Sequence, residues 1–366
     1  MPVRLVERYD PVWPMWFEQI KAFVDAILKE FYTKFFGLAD GPMGGYLEMV
    51  DAAFRDTDCH TGSSFCLPRI FTSERRTQAR NFLEEAGRLA GGDGTYARRV
   101  RIYRVNYDRL VAFLEMLDAR NRFDFAAAKE ALDRLDHLTR TMLDFRLYPN
   151  PSGKAPVETF DSRLDREARL LWWRSALSYI DRFWSPCTES GYERTIVRGE
   201  FVAGGPDEWD FLIDPTDVGE ASGWFRDGPV GGNWQKLRTT SASWSDQGLH
   251  YYKGLAWYRT QVEIPKRFKR RKIYLWFGGV DEKAKVWLNG QLLGTSEHPG
   301  HGLPGVAGTF LPFEFDATGV ARFGRPNLLA VRIANEELNE IGTGGIVAPV
   351  MFWSPRKPAE RWKEPR

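Results

Sequence analysis

The sequence predicts two fold classes in series: an all-α helical bundle followed by an all-β sandwich of jelly-roll type. Three observations predict it. Across the first half the apolar residues recur at three- and four-residue steps, which lays one stripe along each helix. From about Phe201 onward they fall in short alternating runs punctuated by Gly, Pro, Asn and Asp, as half-buried strands do. Within that second half Asn289-Gly290 stands between Val286-Trp287-Leu288 and Leu292-Leu293, the strongest short-range hairpin signal.

The helices follow in order. From Trp16 the residues Ile20, Phe23, Val24, Ile27, Leu28 and Phe31 share one face, and the helix stops near Gly37. A second begins around Pro42, a residue suited to a first turn, and carries Tyr46, Leu47, Val50 and Phe54. A third covers Ser73 to about Ala90 and ends at Gly91-Gly92. A fourth spans Tyr96 to Asp118 with Val100, Tyr103, Tyr107, Leu110, Val111, Leu114 and Leu117 in helical spacing. Asp124 is an N-cap for the next, which buries Ala128, Leu132, Leu135, Leu138 and Met142. After the Pro- and Gly-containing loop 149–156, one more helix is expected from Leu164 to Phe183.

In the second half, Tyr258, Thr260, Val262 and Ile264 alternate with Arg259, Gln261 and Glu263, so one face of that strand is wet. Ile273 to Phe277 and Leu329 to Ile333 alternate in the same way, and further strands are expected near 209–213, 234–239, 310–315 and 349–353. The change of period places a helical domain at 1–184, a linker at 185–200, the sandwich at 201–356 and a polar tail at 357–366. Because the periods differ, a fragment starting near Glu193 is expected to fold alone as a β-protein.

Composition removes several classes of function. Lys and Arg (51) nearly balance Asp and Glu (49), so the long-range field of a nucleic-acid binder is missing. Three cysteines, Cys59, Cys66 and Cys187, are no disulfide framework, although Cys59 and Cys66 could pair in an exported protein, and the first ten residues mix charge with apolar side chains where a signal peptide is apolar. A cytoplasmic protein without a membrane partner is expected. The 14 Trp suit large cores or surfaces that stack on flat ligands.

Tyr252-Lys253-Gly254 with Trp257-Tyr258-Arg259, Gly278-Gly279-Val280-Asp281, Val286-Trp287-Leu288-Asn289-Gly290 with Gly294, and Pro312-Phe313-Glu314-Phe315-Asp316 come in one order. Together they resemble the sugar-binding, galactose-binding-like jelly roll of glycoside hydrolase family 2, and Asn327 to Ile333 continues the resemblance. Phe31-Tyr32, Phe35 to Ala39, Pro42-Met43 and Tyr46 resemble the helical region that follows the catalytic barrel in a group of uncharacterised bacterial glycosidase-like proteins. The family's catalytic carboxylates lie in a (β/α)₈ barrel, whose alternation neither half shows, so no residue here inherits their role.

The resemblance implies that the loop after the hairpin projects toward a sugar. In it Glu297, His298 and His301 offer hydrogen-bonding groups for hydroxyls; an ordinary exposed loop and a metal site are the other readings, and a turn with Pro and Gly presets no zinc geometry. Trp209, Trp224, Trp234 and Trp244 lie near loops, where an indole stacks on a sugar face or closes the end of the sandwich, and Trp224 and Trp234 are taken as sugar-binding candidates. Trp257, Trp276 and Trp287 fall on strands, where packing is expected. The basic run Lys266 to Lys272 reads as a solvated turn between strands. Neither cofactor nor metal is expected. The reading is a non-catalytic carbohydrate-binding accessory protein, or C-terminal part, of a glycoside hydrolase system, with a sugar and a catalytic glycosidase domain or subunit as partners. A glycoside hydrolase with an active site between the halves, and an assembly module without sugar binding, are the alternatives.

Overall fold

The computed structural model describes residues 12–57, 67–145, 199–250, 252–297, 313–336 and 344–355. Helices α1 (Val12–Phe36), α2 (Asp40–Arg55), α3 (Leu67–Ile70), α4 (Ser73–Ala90), α5 (Thr95–Asn121) and α6 (Phe125–Asp144) precede strands β1 (Gly199–Gly204), β2 (Glu208–Ile213), β3 (Gln235–Arg238), β4 (Gly254–Glu263), β5 (Tyr274–Phe277), β6 (Lys283–Leu288), β7 (Gln291–Thr295), β8 (Phe313–Asp316), β9 (Pro326–Asn335) and β10 (Val350–Pro355). Helices first and antiparallel sheets after is the predicted class. The helix expected at Leu164 to Phe183 lies outside the described residues.

The chain divides into two compact units: Met1–Thr57, Ile70–Val111 and Leu138–Leu147 make one, and Asp58–Arg69, Ala112–His137 and Tyr148–Arg366 the other. In the helical unit, Phe36, Met43, Tyr46, Leu83, Val100 and Tyr107 form the core. The three-to-four spacing assigns Tyr46, Val100 and Tyr107 to helix faces; Leu83 lies on α4, for which the sequence sets only the bounds, and Phe36 and Met43 flank the turn that joins α1 to α2. Thr72 caps α4 by accepting from Arg75 N at 3.3 Å. Burial holds the Tyr46 phenol protonated, with its pKa raised to about 12, and the Tyr107 hydroxyl donates to the Arg76 carbonyl at 2.6 Å.

The sandwich packs a four-stranded sheet, β1-β10-β5-β8, on a six-stranded one, β3-β2-β4-β9-β6-β7. Every strand pairing is antiparallel. Alternation fills the space between them from both sides: Phe211, Tyr258, Val286 and Val331 point in from one sheet, Leu275, Phe277, Phe315 and Phe352 from the other. Trp209 and Trp244, the other two loop tryptophans, are fully buried in this core. Trp209 Nε1 donates to the Pro206 carbonyl (2.8 Å) and Trp244 Nε1 to the Tyr258 hydroxyl (2.7 Å), so both close the sandwich and neither is open to a ligand.

The hairpin forms where Asn289-Gly290 predicts it. Asn289 and Gly290 have φ of 53° and 82°, the pair of positive values a two-residue hairpin turn needs, and the pairing of β6 with β7 is interrupted by a bulge between Val286 and Trp287. The basic run is a turn between β4 and β5: Phe268 buries its ring in the core under the guanidiniums of Arg267 and Arg271, 4.8 and 5.1 Å away, and Arg271 pairs with Glu200 at 2.6 Å.

The outer face of the four-stranded sheet is covered as well. Tyr274, Trp276, Met351 and Trp353 form a second apolar cluster, on which Phe123, Phe125 and Phe201 pack. Phe123 stacks on Phe201 with centroids 5.1 Å apart. Phe123 and Phe125 come from the α5–α6 turn, fixed by the Asp124 cap, whose Oδ1 accepts from Ala127 N at 3.1 Å. Asn121 Nδ2 donates to Ser241 Oγ at 2.9 Å beside it.

Candidate functional site

The outer face of the six-stranded sheet carries the candidate residues. Along β4, β9 and β6 the residues that point away from the core form rows across the strands. Trp257, Arg332 and Lys285 pair in one row, and Arg259, Ala330 and Trp287 in the next. Trp257 and Trp287 stack at 5.0 Å with 25° between planes. Two buried indoles on a face that alternation alone marks as wet require a cover, and residues 214–234, between β2 and β3, supply it.

This strap is built around Asp214, itself buried. Its Oδ1 accepts from Val218 N, and its Oδ2 from Gly219 N and from Trp257 Nε1, each at 2.9 Å. Gly219 has no alternative: a Cβ there would lie 2.3 Å from Trp257 Nε1 and 2.4 Å from the Trp224 ring. Beyond it Trp224 meets Trp257 edge to face at 6.0 Å and Trp234 at 5.6 Å, and Phe225 stacks on Trp287 at 5.3 Å. Three ion pairs fasten the strap to the sheet side: Asp217–Arg332 (2.8 Å), Glu220–Lys285 (2.6 Å) and Asp227–Arg322 (2.7 Å). Arg259 donates to the carbonyls of Arg226 and Gly228, and its guanidinium lies 5.6 Å from the Trp234 ring; burial lowers its pKa.

The structure therefore brings Trp224 and Trp234 together, half-buried, in one cluster with Trp257 and Trp287. The Trp234 N–H is already committed to the Gly231 carbonyl at 3.1 Å. Glu297 stands elsewhere on the same sheet face. It pairs at 3.4 Å with Lys283, one row beyond the Trp257–Arg332–Lys285 row. The Glu220–Lys285 pair lies between Glu297 and the tryptophans along β6. His298 and His301 lie outside the described residues.

Around Glu297 the end of the sandwich gathers further polar residues. Glu282 is buried with φ of 58°, a conformation that strains a residue bearing a Cβ, and its Oε2 accepts from Glu336 N at 2.7 Å. Asp281 N bonds to the Gly345 carbonyl (2.9 Å), and Ser296 N to the Ala284 carbonyl (2.8 Å). Asn335, opposite Gly254, completes this rim. The strain at Glu282 and the carboxylate of Asp214 have no period in sequence; what could have found Asp214 is the pattern of an Asp four and five residues ahead of the amides it accepts from. Among the described residues no three His, Cys, Asp or Glu side chains gather as a cation site, and no helix is long and apolar enough to cross a membrane.

Comparison with known proteins bears on the same stretch. Residues 246–341 match the family described as glycosyl hydrolase 2 galactose-binding domain-like. The matched stretch lies within the sandwich and takes in strands β4 to β9. Its resemblance to glycoside hydrolase family 2, read from the motifs between Tyr252 and Ile333, falls within the matched region. A β-galactosidase of Thermoanaerobacter pseudethanolicus is 34% identical over 103 residues, 28% of this chain and 12% of that protein. A β-glucuronidase of Paenibacillus borealis is 29% identical over 140 residues, 36% of this chain and 20% of that one. This chain thus spans between a tenth and a fifth of the length of those two relatives. A solved β-glucuronidase from Ruminococcus gnavus aligns over 45% of this chain and 31% of its own, with 22% identity and a TM-score of 0.36. The resemblance of the helical half rests on its motif alone.

Proposed function

We propose that the sandwich is the carbohydrate-binding part of a glycoside hydrolase system and that it binds sugar without cleaving it. The observation that carries this reading is the match of residues 246–341 to a galactose-binding domain-like family, which coincides with strands β4 to β9. The sugar contacts are assigned to the end of the sandwich where Glu297 and the strained Glu282 stand, with His298 and His301 supplying groups that both donate and accept. A carboxylate fixed by Lys283 is a ready acceptor for a pair of hydroxyls. Trp224 and Trp234 serve on this reading to hold the strap, because their rings are engaged by Trp257 and Arg259.

Calorimetric titration with galactose, glucuronate and their β-linked oligosaccharides tests it. Each net hydrogen bond to a sugar contributes about 0.5–1.5 kcal/mol, so binding is expected to be weak. The paired change His298→Ala with His301→Ala is expected to weaken it several-fold, and Glu297→Gln to do likewise, whereas Lys269→Ala in the basic turn leaves it unchanged. Sugar binding that the histidine pair does not affect would remove this site. No binding to any member of the panel would favour an assembly module, and turnover of an aryl β-galactoside or β-glucuronide abolished by one Asp or Glu change would favour an enzyme.

A further inference from the structure

Helix α1 leaves a continuous apolar stripe uncovered. Ile20 is 58% exposed, Phe23 68%, Val24 45%, Ile27 49%, Leu28 39% and Phe31 42%. These residues follow one another at steps of three, one, three, one and three, the spacing of a single helix face. The remaining exposed large apolar residues, such as Leu38, Tyr96 and Leu292, are scattered over separate elements and are ordinary for a protein surface. Among the described residues of the helix, Tyr32, Phe35 and Phe36 at its C-terminal end join the core of its unit. Helix propensity in water stabilises such an arm poorly, and its stability comes from burying that face.

We propose that α1 packs antiparallel against α1 of a second copy of this chain. The stripe offers about 600 Å² per copy, hence about 1,200 Å² for a two-fold pair, the lower bound of a specific interface. A two-fold axis crossing between Phe23 and Val24 sets Phe23 of one copy against Val24 of the other and Ile20 against Ile27. The same axis brings Lys21 beside Asp25 of the second copy, and symmetry makes that pair twice. The charge pattern speaks against a lipid surface as the cover: Lys21, Asp25, Lys29 and Glu30 alternate in sign around the polar side, whereas an interfacial helix carries mainly cations there.

Sedimentation velocity of the full chain over about 1–100 µM is expected to show a concentration-dependent dimer. Phe23→Glu should shift it to monomer by at least tenfold in dissociation constant, and Lys21→Glu several-fold, while Lys21→Glu combined with Asp25→Lys restores the dimer. Since residue 23 is mostly exposed, far-ultraviolet circular dichroism should show each variant folded, and Ile27→Lys is a second route to the same loss. A chain that stays monomeric throughout, a dimer that Phe23→Glu leaves intact, open-ended oligomers, or a monomer that co-sediments with anionic vesicles would each overturn the proposal. None of these outcomes depends on whether the sandwich binds sugar.

Discussion

The two outer faces of the sandwich are both closed by aromatic side chains, but by opposite means. On the four-stranded sheet the cover is apolar: Phe123 and Phe125 lie on Tyr274, Trp276, Met351 and Trp353. On the six-stranded sheet the cover is a strap with no regular structure, and charge fastens it: one buried carboxylate with three donors, and three partly exposed ion pairs. An apolar cover depends on area, which salt leaves almost unchanged, whereas a partly exposed ion pair weakens as the Debye length shortens from about 8 Å at physiological ionic strength to about 3 Å at 1 M. The two faces should therefore fail under different conditions.

The largest effect should come from removing the apolar cover outright. A fragment starting at Glu193 keeps all ten strands but lacks Phe123 and Phe125, both partly buried, so each contributes less than the about 3–5 kcal/mol of a fully buried phenylalanine. It is expected to keep a β-type circular dichroism spectrum, to bind a hydrophobic dye and to self-associate on a sizing column. A monomeric fragment as stable as the full chain would show that the helical cover is dispensable.

Asp214→Ala comes next. It strands three donors, the Trp257 N–H and the amides of Val218 and Gly219, and an unmade buried hydrogen bond costs about 1–3 kcal/mol. With water entering to satisfy part of the set, a loss of about 2–4 kcal/mol is expected from the denaturant midpoint of the full chain. The smallest effect belongs to the exposed pairs. Raising sodium chloride from about 0.05 to 1 M should speed proteolytic cleavage within 214–234 a few-fold, since each pair contributes at most about 1 kcal/mol, and should leave cleavage at the α5–α6 turn unchanged.

What could be read from sequence follows from what each residue needs. α4 spans Ser73 to the glycines at 91–92 as expected, with Thr72 as its cap, Asp124 caps α6, and the β6–β7 turn sits on Asn289-Gly290, because caps and tight turns are decided by two or three adjacent residues. The expectation that Trp257 and Trp287 pack on something was met, but their partner was not legible. Alternation tells which way a strand residue points and says nothing of a strap that crosses from 214–234 without a period of its own. The stripe on α1 shows the same limit: spacing marks the face, and the element that covers it is set by tertiary placement. In the proposed sugar site, the pairing of Glu297 with Lys283 is not legible in the sequence, because an ion pair between β6 and the end of β7 depends on register across the bulge at Val286.

Asn289 has a consequence for how this protein ages. Asparagine followed by glycine is the pair most prone to cyclise and deamidate, a reaction in which the side-chain carbonyl carbon must swing onto the next backbone nitrogen. Here the amide is tied down: Nδ2 donates to the Val320 carbonyl (3.0 Å) and to Asn327 Oδ1 (2.8 Å), and Oδ1 accepts from Leu328 N (3.1 Å). The folded hairpin thus protects the residue that makes it, and damage accumulates during excursions to the open state. Once converted, the carboxylate has no N–H to give and faces two oxygens instead. The turn is then harder to re-form, so the fraction of converted molecules measures the total time spent unfolded.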